Sequence, residues 1–182
     1  FLDAMRAQVD EEWIYTHGII GVLAHMDMTF DELQARLLKE IPALDHKAIQ
    51  GKPQLDQFLA KRMQRHMDDP QQPLGRMTSL YDSKGIQTMG EVAVSFLLRP
   101  CALCGKIVFS QRQKGIPCFT SFNAHVGHPL LVRPFAQRML MRRFLHAYAP
   151  VTLKHFCAWL GCGMSQGRRL WKQIEPELEA VQ

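Results

Sequence analysis

Acidic residues are missing from nearly half of this chain. No Asp or Glu occurs between Val92 and Ile174, yet 12 Lys and Arg fall in the same stretch. Residues 1–91 sum to −4 and residues 92–182 to +9, a division hidden by the net charge of +5. A solvated surface ordinarily mixes both signs. Excluding one of them implies a face that meets a polyanion. Nucleic acid is the expected partner, because each neutralised phosphate releases a counterion. An anionic membrane surface is disfavoured, since the basic residues form no single stripe opposite bulky apolar ones.

Other absences narrow the class further. No apolar run approaches the ~20 residues of a membrane-spanning helix, so no membrane partner is expected. With 47% apolar residues, 12 Gly and 10 Pro, the chain is too apolar for disorder and too poor in breakers for low complexity. It shows no P-loop, dinucleotide fingerprint or Ser/His/Asp order, and no cofactor is expected. The paired carboxylates Glu11/Glu12 and Asp68/Asp69 have no partner His and read as surface charges. The chain opens at Phe1 with no Met and no basic-then-apolar leader, so it is expected to be part of a longer protein.

Five Cys and no secretory leader imply reduced thiols and a cytoplasmic setting. One cluster has zinc-like chemistry: Cys101-x-x-Cys104-Gly-Lys, then Cys118, His125 and His128. It lacks a second Cys-x-x-Cys. Cys101 and Cys104 also extend an apolar helical run (Val92, Val94, Phe96, Leu97, Leu98), where cysteine acts as a small hydrophobe. Core thiols are therefore expected, and no metal.

Residues 4–26 have helical spacing, with apolar Val9, Trp13, Ile14, Ile20, Val22 and Leu23. Thr29-Phe-Asp-Glu32 and Thr88-Met-Gly-Glu91 are capping-box patterns that each open a helix. Residues 43–53 read as a polar connector and 54–67 as a third helix. Pro100 is expected to kink or end the second capped helix near Leu98. Lys106–Gln111 and Ile116–Phe122 read as strands joined by a basic turn, Arg112–Gly115. After a linker come a basic helix over Phe135–Tyr148, a turn at Ala149–Thr152, a helix over Leu153–Leu160, and a helix capped by Ser165.

The expected fold is mainly α with a small β-hairpin, built as tandem winged-helix or helix-turn-helix units. Residues 1–126 form the first, with a wing at about 106–122 and a long connector over 42–87. Residues 127–182 form a second, truncated unit.

The second block carries a family resemblance. Arg142-Arg-Phe-Leu-His-Ala-Tyr-Ala-Pro-Val-Thr-Leu-Lys-His-Phe-Cys-Ala-Trp-Leu-Gly161, then Ser165-Gln-Gly-Arg-Arg-Leu170, resembles the AlkZ/YcaQ-type winged-helix proteins. Ala149 stands where their Gly-Pro-Val-Thr signature has glycine. Met28-Thr29-Phe-Asp-Glu-Leu33 and Cys104-Gly-Lys-Ile-Val-Phe109 fit the same family's preceding winged helix. The resemblance covers about two thirds of the chain. It implies a bacterial, nucleoid-associated DNA repair protein, from a family whose members release alkylated bases and unhook crosslinks. It also implies a catalytic Gln-apolar-Gln motif. The only Gln-x-Gln here is Gln111-Arg-Gln113, with a charged centre, so no catalytic residue is assigned and enzymatic activity is left open for this stretch.

The expected partner is double-stranded DNA. Its expected contacts are Gln111, Arg112, Gln113 and Lys114 on the wing, with Arg142, Arg143, Ser165, Gln166, Arg168, Arg169 and Lys172 in the second block. A helix N-terminus offers free amides to phosphate. Trp159 and Trp171 are expected to be core anchors. The alternative is a winged-helix protein-interaction or transcription-regulator module without repair activity.

Overall fold

A computed structural model describes residues 19–67, 75–79, 81, 84–131 and 133–181. Most of the expected helix over 4–26 lies outside these residues, as do Glu11/Glu12 and Asp68/Asp69. The described chain is mainly helical with a small three-stranded antiparallel sheet. It divides into two compact units, one spanning Thr16–Leu130 and one holding Leu131–Gln182.

In the first unit, α1 (Ile20–Met26) ends at Asp27, which takes a left-handed conformation. Val22 and Met26 are buried there, while Ile20 faces solvent. α2 (Phe30–Glu40) opens on a complete capping box. The Thr29 hydroxyl accepts from the Glu32 amide at 3.3 Å, and the Glu32 carboxylate accepts from the Thr29 amide at 2.8 Å. The bond from the Thr29 amide, with a second from the Thr29 hydroxyl at 2.8 Å, favours the ionised form and holds the Glu32 carboxyl below its ordinary range.

The polar connector expected over 43–53 contains regular elements. A 3-10 turn (Ile41–Asp45) leads to β1 (Ile49–Gln50), and α3 (Lys52–Arg65) begins two residues earlier than its apolar spacing indicates. Gly51 is the joint: its φ of 80° admits the turn, and its amide donates to the Pro117 carbonyl at 2.9 Å.

α4 (Met89–Leu103) starts at the Thr88/Glu91 capping box and continues through Pro100. Of the two expected outcomes, a kink or an end near Leu98, the helix does not end there. A proline inside a helix costs about 3 kcal/mol. The turn that continues past it is anchored by packing, since Pro100 and Cys101 are both buried alongside Val92, Val94, Leu97 and Leu98 of the preceding turns. These residues join Leu33, Leu37, Leu44, Leu55, Leu59 and Met63 in the core.

β2 (Ile107–Gln113) and β3 (Ile116–Ser121) form the hairpin, and the sheet order is β1-β3-β2. Phe109 pairs with Phe119, and Ile49 of β1 pairs with Phe119 from the other side. Only Lys114 and Gly115 form the turn, at φ 51° and 79°. Positive φ at both central residues suits a two-residue hairpin loop, whose twist matches the strands. The strands therefore reach further toward the tip than expected. A bulge between Ser110 and Gln113 absorbs one extra residue. Phe122 leaves the returning strand and opens a short helix, α5 (Phe122–Val126), because the Ser121 hydroxyl caps it by accepting from the Ala124 amide at 3.0 Å.

The second unit packs α6 (Ala136–Tyr148), α7 (Leu153–Leu160) and α8 (Met164–Trp171) around Met141, Phe144, Phe156, Leu160, Leu170 and Ile174. Thr152 caps α7 by accepting from the His155 amide, and His155 Nδ1 accepts in return from the Thr152 amide, both at 3.3 Å. An imidazole thus takes the place of the usual Glu. The cap of α8 is Gly163, not Ser165, which lies inside the first turn. Gly167 and Leu170 lie on the buried side of α8, and Ile174 is buried just beyond its end. Trp159 is 39% exposed at the rim of the aromatic cluster, its ring centroid 4.9 Å from that of Phe144. It is less enclosed than a core anchor.

Candidate nucleic-acid interface

Two sets of exposed basic and polar side chains stand out, one in each unit. On the hairpin, Gln111, Arg112, Gln113 and Lys114 are all exposed. Arg112 Nη1 reaches the Gly115 carbonyl at 3.4 Å and leans across the turn. Gln50 braces the tip from the neighbouring strand, its Nε2 donating to the Gln113 carbonyl at 2.8 Å. Beside it, Lys47, Gln50, Gln54, Phe58 and Ile116 line an open groove of about 440 Å³. Sequence reasoning missed Gln50 and Lys47 because both lie in the stretch read as a connector. The tip is held by backbone pairing and a side-chain brace, with its cations turned to solvent.

In the second unit, Ser165, Arg168, Arg169 and Lys172 fall at helical spacing on one stripe of α8. Ser165, Arg168 and Lys172 are exposed, and Arg169 is half-buried. Arg169 Nη1 donates to Gln137 Oε1 of α6 at 3.4 Å, which ties the stripe to the next helix. Gln166 is not on this surface. It is 3% exposed and sits with Gly167 and Leu170 on the packed side, a consequence of the helix starting at Met164.

Arg143 is exposed on α6. Its neighbour Arg142 is already engaged: Nε and Nη2 donate to the two carboxylate oxygens of Glu177 at 2.8 and 2.9 Å. Arg138 Nε donates to the same carboxylate at 2.7 Å. The Arg142 bonds, helped by Arg138, hold the Glu177 carboxyl down at about 2, and Arg142 is pushed further above its ordinary value. Glu177 was not singled out from the sequence, since its partners lie 35 and 39 residues away.

The cysteines have other surroundings. Cys101 and Cys118 are buried, Cys104 is half-buried, and His125 and His128 are exposed. Among the described residues, no three His, Cys, Asp or Glu side chains are grouped to hold a metal ion. Burial, and secondarily the nearby Cys104, push the Cys101 thiol up to about 12. Among the described residues, no helix is long and apolar enough to cross a membrane.

Comparison with known protein families matches residues 21–182 to the "DNA glycosylase AlkZ-like" family. The chain belongs to the AlkZ-like DNA glycosylase family. No curated protein and no solved structure matches it. Family membership links the chain to DNA repair and implies DNA as its class of substrate. It supports the resemblance carried by Arg142–Leu170 and extends it through the segment that connects α3 to α4.

Proposed function

We propose that this chain is a winged-helix DNA-binding module of an AlkZ-like glycosylase and grips duplex DNA through the hairpin tip and the basic stripe of α8. The order α2–β1–α3–α4–β2–β3 supports a winged-helix reading in which β2 and β3 are the wing. α6, α7 and α8 form the second, helix-turn-helix unit.

The observation that carries the reading is the hairpin tip. It presents Arg112 and Lys114 to solvent, within a stretch of 83 residues that has no carboxylate. α4 is too deeply packed to read bases along its length, so the wing supplies the first unit's contact. Phosphate-directed Lys and Arg give affinity and position without sequence information. Arg143, Arg168 and Lys172 extend the contact in the second unit, with Arg169 set by Gln137. Arg142 joins only by exchanging the Glu177 carboxylate for a phosphate.

Anisotropy of a labelled duplex titrated with the chain tests this. Affinity falls steeply between 50 and 200 mM salt, and Arg112→Glu with Lys114→Glu removes most of the binding at low salt. Binding indifferent to salt, or to that double reversal, rules the proposal out. A nuclease-resistant complex with an acidic protein would favour an interaction module instead.

A further inference from the structure

The hairpin carries a second surface that phosphate contact does not use. Strand alternation puts Phe109 and Phe119 on one side of the ribbon and Cys118 and Thr120 on the other. Cys118 and Thr120 are buried, and the Thr120 hydroxyl donates to the Leu44 carbonyl at 3.0 Å. Phe119 is half-buried, but Phe109 is 67% exposed on the outer strand of the sheet. Their ring centroids lie 5.0 Å apart with planes inclined at 41°, so Phe119 packs against the exposed ring from the neighbouring strand.

An exposed phenylalanine is not rare in itself. This one is backed by a second aromatic on a ribbon whose exposed ionic side chains are Lys106, Arg112 and Lys114. Neither strand nor the turn contains a carboxylate. Asp45, at the base of the hairpin, accepts from Ser121 and Asn123. Cations beside a π-face complement a chain of phosphates and bases. In an intact duplex the base faces are hidden by stacking, so the ring can meet one only where a base is unpaired.

Resting on the DNA-binding reading above, we infer that Phe109, backed by Phe119, is a stacking platform for an unpaired nucleobase while Arg112 and Lys114 hold the flanking phosphates. The chain then distinguishes locally opened DNA from intact duplex without reading sequence, as base–aromatic stacking is sequence-tolerant.

The experiment measures the full chain on an intact duplex and on the same duplex with a single-nucleotide bulge, using wild type, Phe109→Ala and Phe109→Trp. Wild type prefers the bulged duplex. Phe109→Ala lowers affinity for bulged DNA by on the order of tenfold to a hundredfold, the worth of one base–aromatic stack, and leaves intact-duplex affinity within about twofold. Phe109→Trp retains the preference. The inference is overturned if wild type binds both duplexes equally, if Phe109→Ala leaves bulged-DNA affinity unchanged, or if it lowers both affinities alike. In the first two cases retained binding to intact duplex leaves the DNA-binding module standing. Failure of wild type to bind either duplex overturns both readings.

Discussion

Glu177 shows how one carboxylate can govern a basic surface. It accepts from Arg138 and Arg142 and is held at about 2, well below its ordinary 4.5. A depressed folded-state value means the ionised form is favoured by folding. This contribution is complete above about pH 4.5 and disappears as pH falls through about 2. Acid unfolding followed by circular dichroism should therefore show wild type losing its advantage over Glu177→Gln across that window. The same substitution frees two guanidinium groups, so Glu177→Gln should bind duplex DNA several-fold more tightly at low salt, as anisotropy would report. Weaker binding by a folded variant would mean that Glu177 positions those arginines for DNA instead of competing with it. Cys101 makes a contrasting case: burial keeps it a neutral thiol, inert as a nucleophile. Mass-spectrometric alkylation of the native chain should label half-buried Cys104 and Cys162 before Cys101, Cys118 and Cys157.

Among the elements, α3 and α4 meet closely at a glycine. A Cβ on Gly90 would lie 2.6 Å from Gln64 Nε2 and 3.0 Å from the Gly75 carbonyl oxygen. Gln64 cannot swing aside freely, because it is buried and donates to that same carbonyl at 2.9 Å. Alanine ordinarily stabilises a helix by about 1 kcal/mol over glycine. Here the clash wins, and Gly90→Ala should lower stability by about 1–3 kcal/mol in urea titration. The sequence made the helices legible where their signals were local. Thr29/Glu32 and Thr88/Glu91 each close a cap within four residues, and the apolar spacing of α3 lies in its own sequence. β1 was illegible because two residues, Ile49 and Gln50, become a strand only by pairing with Phe119 and Cys118. The run of α4 through Pro100 was hidden likewise, being decided by what the helix packs against. The candidate site divides the same way. Its charges can be counted in the sequence, but the engagement of Arg142 by Glu177, the burial of Gln166 and the bracing of the tip by Gln50 depend on residues far along the chain.

At the scale of the whole molecule, the segments Thr16–Leu130 and Leu131–Gln182 carry different reserves of acid. Within Thr16–Leu130, 10 carboxylates all precede Val92, leaving the hairpin as a basic extension of a mixed surface. Within Leu131–Gln182, eight Lys and Arg face three Glu clustered at 175, 177 and 179. Under the proposed contact, each unit neutralises its own phosphates, and the slope of log affinity against log salt counts them at roughly 0.9 per phosphate. Reversing Arg112 and Lys114 should flatten the slope by about two, and reversing Arg168 and Lys172 by about two more. The combined variant should show the sum, because slopes from separate phosphate contacts add. If either pair changes affinity without changing the slope, its role is structural. If one pair abolishes the whole salt dependence, DNA is held by a single unit, and the basic residues of the other serve a different partner.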